Sequence, residues 1–180
     1  MECSVIKNKE DIRLIKAQLE QTNYRDYVLF TLGINTGIKL QDLLVLKFED
    51  VFDGNNVQSI IVIRDKSYFL HKVVQQILQK FRNKLGNDFN HSDYMFASQK
   101  GKEPIDRSHV YRILNNSAKK LNINVNLGTQ SLRKTYGYHF YNDGGDLNQL
   151  RVILGQSSCN ITLKYINIEK EPFDAKKFFL

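Results

Sequence analysis

Tryptophan is absent from the 180-residue sequence, and cysteine, methionine and proline each occur only twice. Cys3 and Cys159 lie near opposite ends without the close spacing of metal ligands, which argues against a disulfide framework or a zinc site and predicts reduced thiols. The longest apolar runs, residues 27–32 and 59–63, are far shorter than the roughly 20 residues that span a bilayer. No signal-like segment precedes them, so we expect a cytoplasmic protein with no membrane partner.

Internal repeats, low-complexity tracts and a dividing linker are also missing. The composition, with 42% hydrophobic and 25% charged residues, suits one globular domain with an ordinary apolar core. We therefore expect a single domain over residues 1–180. Its last nine residues, 172–180, begin with a helix-stopping proline and form a tail with an apolar cluster of Phe173, Phe178, Phe179 and Leu180.

The charge is strongly positive, with a formal net value of +7. Such a balance favours a polyanionic partner, because cationic side chains that neutralise phosphates release counterions independently of base sequence. Charge alone does not establish nucleic-acid binding, since many basic proteins bind no polyanion.

Helical periodicity, caps and glycine punctuation predict a mostly helical chain. Asn8 is a candidate N-cap of the first helix, and Gly37 suits the left-handed residue that ends the second. The predicted helices cover residues 8–21, 24–35, 40–46, 72–85, 106–121, 130–141, 147–154 and 160–166.

A change of period between these helices predicts a β-hairpin. Residues 59–64 are β-branched, Asp65 and Lys66 suit a tight turn, and residues 67–71 alternate again. Residues 94–97 are a candidate third short strand. The predicted fold class is mainly α with a small antiparallel sheet on one side, an α+β arrangement.

Five short stretches then occur in a distinctive order: TGIKLQD at 36–42, the hairpin around Lys66, QSLR at 130–133, LGQ at 154–156, and Tyr165. In this order the chain resembles the catalytic domain of the tyrosine recombinases, the phage integrase family, from its first helix to Tyr165. Family members carry an arginine motif, a hairpin lysine, His-x-x-Arg, Leu-Gly-His and a nucleophilic tyrosine at these places. Tyr165 follows Arg133 by 32 positions and Gln156 by nine, which fits the family register without an insertion.

The resemblance implies a site-specific recombinase that cleaves and rejoins double-stranded DNA through a 3′-phosphotyrosine on Tyr165, in the integration or excision of a phage or mobile element. A phenol with a pKa near 10 must lose its proton during attack on phosphorus. Neither a metal nor another cofactor is implied, in agreement with the missing phosphate-binding glycine loop and carboxylate cluster.

The implied phosphate clamp is altered in this chain. Arg133 matches one of the two arginines of the family, whereas Lys39 stands at the position of the other. Lysine keeps the charge but loses the planar, bidentate fork. Asp42 lies where the family often has a carboxylate, and we expect it to orient Lys39 or a helix.

The implied proton-transfer groups are altered as well. Gln130 and Gln156 replace the two histidines, and an amide donates a neutral hydrogen bond but cannot shuttle protons near neutral pH. Lys66 is the best match to the lysine that protonates the leaving oxygen, with Arg64 as the alternative. A displaced histidine, His139, remains a possible substitute. The resemblance therefore implies a recombinase with a degraded site; the alternative is a catalytically inactive, recombinase-like DNA-binding regulator.

Two further expectations concern the partners. The tail at 172–180 either folds back on its own domain or, as in the resembled family, docks on a neighbouring protomer in an oligomer on DNA. No separate DNA-clamp domain precedes the first helix, so the chain is either a fragment or a single-domain member. Several cations are candidates for tracking DNA phosphates: Lys100, Lys102, Arg107, Arg112, Lys119, Lys120 and Lys134.

Overall fold

The computed structural model describes residues 4–86, 89–98 and 101–169. Within them the order of elements is α1 Lys9–Thr22, α2 Tyr24–Thr36, α3 Leu40–Leu44, α4 Phe48–Val51, β1 Phe52–Asp53, β2 Asn56–Val57, β3 Ile60–Ile63, β4 Lys66–Phe69, α5 Lys72–Leu85, α6 Arg107–Lys120, α7 Ser131–Asn142, α8 Leu147–Ile153 and α9 Cys159–Tyr165. None of the described helices is long and apolar enough to cross a membrane.

The helix predictions are confirmed, with every predicted end within two residues of the observed one. Asn8 caps α1, its side-chain oxygen accepting a hydrogen bond from the Glu10 amide at 2.9 Å. Gly37 follows α2 in the left-handed conformation, at φ +68°. The short helix α4 has no counterpart among the predicted helices, because four residues are too few to show a helical period.

The sheet is smaller than one continuous layer. The strands β3 and β4 pair antiparallel, from Ile60 opposite Phe69 to Ile63 opposite Lys66, which confirms the hairpin. Its turn lies one residue earlier than expected, so that Lys66 begins β4 instead of occupying the turn. A second hairpin, β1 with β2, was not expected.

The expectation of a third strand at residues 94–97 was wrong. Tyr94 and Ala97 form only isolated bridges, to Lys47 and Pro104 respectively. Each partner lies in a connecting segment and not beside β3 or β4, so backbone pairing does not propagate beyond one residue pair.

Helix α2 forms the centre of the fold, and α1, α5 and α7 pack against it. A large apolar cluster surrounds α2 and includes Leu132 from α7. A smaller cluster lies beyond α7, built on Leu150, Leu154, Leu163 and Ile166. Helix α7 therefore separates the main core from the unit formed by α8 and α9, and its residues face both.

Candidate active site

A cavity of about 360 Å³ opens where the start of α3, the start of α6, the start of α7 and the end of α8 meet. Five of the six predicted site residues line it: Lys39, Gln130, Arg133, Gln156 and Tyr165. The remaining lining residues are Leu40, Gln41, Arg107, Thr129, Leu154 and Gly155. The structure thus brings together residues that are separated by up to 126 positions in the sequence.

Arg133 is the most enclosed cation of the cavity, with 6% of its surface exposed. Its Nη1 donates a hydrogen bond to the Gly37 carbonyl, and its Nη2 donates one to the Ile153 carbonyl at 3.3 Å. No ion pair among the described residues includes Arg133. The guanidinium is therefore held in place by neutral carbonyls, and its positive charge remains available to an anion.

Gly37 owes its place to two constraints. Its φ of +68° favours glycine, and a Cβ built on it would lie 2.5 Å from Cδ1 of Tyr136. Burial raises the pKa of the Tyr136 phenol, an effect that the nearby Arg133 charge opposes. The carbonyl of this closely packed glycine accepts the hydrogen bond from the Arg133 guanidinium.

Lys39 is an exposed residue at the N-cap position of α3 and makes no side-chain cap. Asp42 does not orient it: the Asp42 carboxylate instead accepts a hydrogen bond from Arg64 at 3.2 Å. That ion pair holds Arg64 against α3. Of the two candidate hairpin cations, Arg64 is therefore already paired.

Lys66 lies at the edge of the cavity. Its Nζ is 3.2 Å from the position that a Cβ on Gly155 would occupy, and Gly155 is a lining residue with φ +59°. Glycine at this position therefore leaves room for the ammonium group beside the cavity wall. The geometry favours Lys66 over Arg64 as the hairpin cation that reaches the site.

The two glutamines contribute unpaired amides. Gln130 is exposed, directly before α7, and makes no capping hydrogen bond with its side chain. Gln156 is half-buried in the α8–α9 connection, where its backbone amide donates to the Arg151 carbonyl at 2.9 Å. Within the described residues neither side-chain amide bonds to the protein, so both can donate to a ligand.

Tyr165 is the last residue of α9 and is half-buried. Its ring packs at the edge of the smaller apolar cluster while also lining the cavity. The Nζ of Lys134 lies 5.5 Å from the ring centroid. The expectation that Lys134 tracks DNA at the surface was wrong, because only 4% of it is exposed and it faces α9.

Arg107 is a cavity residue that the sequence placed only among the surface cations. It begins α6, and its Nη2 donates to Oε1 of Gln41 at 3.0 Å. The cavity is therefore lined by a second guanidinium, at the start of α6. The one sequence signal for the position of Arg107 was that it follows Asp106, the N-cap of α6, where the preceding connection ends and the helix begins.

No histidine lines the cavity within the described residues. His139 donates from Nε2 to the Ile6 carbonyl at 2.9 Å, which ties α7 to the N-terminal segment and rules out the suggested substitution for a missing imidazole. His71 caps α5 by accepting from the Val73 amide. No cluster of three or more metal-ligating side chains occurs in the described ranges.

The seven cations that were candidates for tracking DNA phosphates lie in different surroundings. Lys102, Arg112, Lys119 and Lys120 are exposed, as expected for residues that meet solvent or a polyanion. Lys100 and the tail at 172–180 lie outside the described residues.

The cavity itself combines two guanidiniums, two ammonium groups, two free amides and one phenol, which is a donor set suited to a phosphate diester and a nucleophile.

The sequence model described as the phage integrase family matches residues 5–171. The chain is 34% identical over 169 residues to the probable integrase/recombinase YoeC of Bacillus subtilis (strain 168), covering 92% of this chain and 90% of that protein. It spans about half of a tyrosine recombinase of Agathobacter rectalis, 51% of that protein, at 28% identity.

Solved structures show the same fold. The crystal structure of XerA recombinase aligns with a TM-score of 0.77 at 22% identity, covering 94% of this chain and 60% of that chain. The Tn1549 transposon integrase in complex with transposon right end DNA aligns with a TM-score of 0.69 at 15% identity, covering 92% of this chain and 62% of that one. With its sequence matched from residue 5 to residue 171, the chain belongs to the phage integrase family.

Proposed function

We propose that this protein is a site-specific DNA recombinase of the tyrosine type, which cleaves and rejoins DNA through Tyr165. The observation that carries the proposal is the shared cavity of Tyr165 and the carbonyl-anchored guanidinium of Arg133. A nucleophile and a fixed phosphate-binding group beside one another are the minimum that transfer of a phosphoryl group requires.

In the proposed reaction the Tyr165 oxygen attacks a DNA phosphorus. A bond forms between phosphorus and the phenolic oxygen, the bond to the 5′ oxygen breaks, and the phenolic proton passes to solvent water. Lys66 supplies a proton to the departing 5′ oxygen, and the product is a 3′-phosphotyrosine. Reversal by a 5′ hydroxyl rejoins the strand, so the bond energy is retained and no metal takes part.

Charge on the nonbridging oxygens increases in this transition state, and fixed donors stabilise it. Arg133 is the most suitable donor, because its guanidinium is buried and preoriented. Lys39 adds charge without bidentate geometry, and Gln130 and Gln156 add neutral donors from their amides.

The proposed partner is double-stranded DNA. The Tn1549 integrase, which shares the fold, is in complex with transposon right end DNA. The net charge of +7 on this chain supports the same partner, because phosphate neutralisation drives such binding. We further propose that the tail at 172–180 contacts a neighbouring protomer on DNA; removal of that segment should then reduce the mass of the DNA-bound assembly.

We propose that turnover is slow. Loss of one preorganised donor lowers a rate by roughly 10²–10³, and loss of a general acid or base by roughly 10²–10⁴. Replacement of both imidazoles, at Gln130 and Gln156, also supports a second candidate function, a DNA-binding regulator that no longer cuts. The retained nucleophile and Arg133 favour the recombinase.

A nicked suicide substrate that carries the recombination site of the phage or mobile element distinguishes the recombinase from the regulator. Cleavage traps the covalent protein–DNA adduct, which a denaturing gel resolves. We expect an adduct that disappears in Tyr165→Phe and persists in Tyr141→Phe, a tyrosine on α7 that does not line the cavity. DNA retention without adduct supports the regulator. A triple variant with Lys39→Arg, Gln130→His and Gln156→His should cleave faster; if it too forms no adduct, the assignment of these residues is wrong.

A further inference from the structure

Lys134 directly follows Arg133 in α7, yet its side chain points in a different direction. Successive residues of an α-helix are about 100° apart around the axis, so Arg133 faces the cavity while Lys134 faces α9. Lys134 is 4% exposed, which makes it the most buried lysine among the described residues. An ammonium group is costly to bury unless polar or charged groups compensate for its lost hydration.

Two contacts of the Lys134 ammonium lie at the end of α9. Its Nζ donates to Oδ1 of Asn167 at 3.2 Å and lies 5.5 Å from the ring centroid of Tyr165. Asn167 comes two residues after Tyr165 and has a left-handed backbone conformation at φ +57°. Its backbone N–H donates to the Lys164 carbonyl at 3.1 Å. The lysine thus contacts the nucleophile's ring and the turn that ends its helix.

Burial distinguishes this contact from the other lysine–ring contacts. Lys80 and Lys84 lie 5.5 and 5.1 Å from the ring of Tyr24, and Lys7 lies 5.4 Å from the ring of Tyr138, but all three lysines are exposed. Lys47 lies 6.0 Å from the ring of Tyr94 and is only half-buried, whereas Lys134 is buried. Water screens an exposed cation, whereas a desolvated cation beside an aromatic ring interacts several times more strongly.

We propose that Lys134 is a positioning residue for the nucleophile: it holds the Tyr165 ring toward the cavity, and its fixed charge favours the negative charge that develops on the phenolic oxygen during attack. The inference rests on the proposed function of Tyr165 and adds a residue to it. Adjacent positions of α7 then serve the two reacting groups, Arg133 the phosphate and Lys134 the phenol.

The test measures single-turnover adduct formation on the suicide substrate at saturating DNA, across a pH series from slightly acid to alkaline. Lys134→Met keeps the length of the side chain and removes its charge. We expect it to be about ten-fold slower at neutral pH, with the deficit shrinking as pH rises because hydroxide then removes the phenolic proton. Lys134→Arg should retain most of the rate. Lys84→Met, the matched control on an exposed contact, should be unchanged.

Replacement of Tyr165 by difluorotyrosine, a more acidic phenol, separates charge from structure. It should restore most of the rate lost in Lys134→Met. A Lys134→Met protein that equals the wild type at every pH overturns the proposal, and so does a deficit that is constant with pH and insensitive to fluorination. Should Lys134→Met not fold, Asn167→Ala, which removes the hydrogen-bond partner, must show a smaller deficit of the same pH dependence.

A wild type that forms no adduct would reject the proposed function, whereas the effect of the Lys134 charge on the Tyr165 phenol has an assay of its own that is independent of turnover. Tetranitromethane nitrates phenolate more readily than phenol, and peptide mass spectrometry measures the reaction at Tyr165. We expect several-fold less nitration at Tyr165 in Lys134→Met than in the wild type, with Tyr24 as the internal reference. Equal nitration overturns the inference.

Discussion

Replacement of Gly37 by alanine tests whether close packing behind the cavity holds Arg133, the arginine that we propose binds phosphate. Gly37 ends α2 at φ +68°, and a Cβ there would lie 2.5 Å from Cδ1 and 2.8 Å from Cε1 of Tyr136. The Tyr136 ring cannot move away freely, because it is packed against the smaller apolar cluster with Phe140 at 5.8 Å between centroids.

Two costs add in Gly37→Ala. The left-handed conformation costs a non-glycine residue about 1–2 kcal/mol. Forcing a methyl group into an occupied space costs about 1–3 kcal/mol more. We therefore expect the free energy of unfolding to fall by about 3 kcal/mol, a large part of the stability of an ordinary domain.

Gly54→Ala is the matched control. Gly54 has a similar φ of +56°, but no atom lies within 4 Å of the Cβ position. Urea denaturation should show a loss of only about 1–2 kcal/mol for this variant. In a Tyr136→Ala background, where the ring is gone, the cost of Gly37→Ala should fall to the same value.

The functional consequence follows from the Gly37 carbonyl, which accepts a hydrogen bond from Arg133. A displaced carbonyl releases the guanidinium, so Gly37→Ala should slow adduct formation by roughly 10²-fold at a temperature where the variant is folded. Gly54→Ala should cleave like the wild type. Equal destabilisation by the two alanines would show that the Tyr136 contact imposes no constraint, and an unchanged cleavage rate in Gly37→Ala would refute the role of the carbonyl.

Three other predictions concern single side chains. Arg107→Gln removes the second guanidinium of the cavity and should slow adduct formation roughly 10²-fold, whereas Arg112→Gln, an exposed change on the same helix, should leave single-turnover cleavage unchanged. Lys66→Met should slow adduct formation, and a substrate with sulfur as the bridging 5′ atom should restore the rate, because a thiolate leaves without a proton. If the rate of Arg64→Met is the one that this substrate restores, the assignment of Lys66 as the hairpin cation is wrong. Burial raises the pKa of Tyr24 to about 12, so its neutral form stabilises the fold below its unfolded pKa of about 10, and this contribution is lost as pH rises toward 12. Tyr24→Phe should flatten the fall in melting temperature across that alkaline range, and an unchanged slope would contradict the assignment.

The helices were predictable because their signals are local. Asn8 and Asp106 cap the helices that follow them through hydrogen bonds to residues within three positions, and the left-handed Gly37 ends α2. The shared cavity was predictable for another reason: the order of the motifs and the 32 positions between Arg133 and Tyr165 match a known arrangement. Neither kind of signal depends on the packing of distant segments.

The remaining features depend on such packing. No feature of the neighbouring sequence distinguishes Lys134 from the exposed Lys119 and Lys120. Lys134 is buried because the end of α9, which is distant in sequence, packs against it. Arg107 lines the cavity because the connection before α6 places that helix opposite Gln41. The pairing of Arg64 with Asp42 likewise joins segments 22 positions apart, and it decides which hairpin cation is free to reach the site.

Close packing around α7 places Arg133, the proposed phosphate-binding group, in the same cavity as Tyr165, the proposed nucleophile. A Cβ on Gly33 of α2 would lie 2.6 Å from Cδ1 of Leu132, and one on Gly137 of α7 would lie 2.6 Å from Cγ2 of Ile166. Each glycine thus lets a side chain of the neighbouring segment pack directly on the helix backbone. Helix α7 therefore lies close to α2 on one side and to the end of α9 on the other. Since Arg133 is on α7 and Tyr165 ends α9, a side chain at Gly137 would push apart the proposed phosphate-binding group and the proposed nucleophile, and its Cβ would also lie 3.1 Å from Cδ1 of Leu154, which lines the cavity. A displacement of about 1 Å is enough to cost roughly 10²-fold in such reactions, so Gly137 matters to the proposed reaction as well as to the fold.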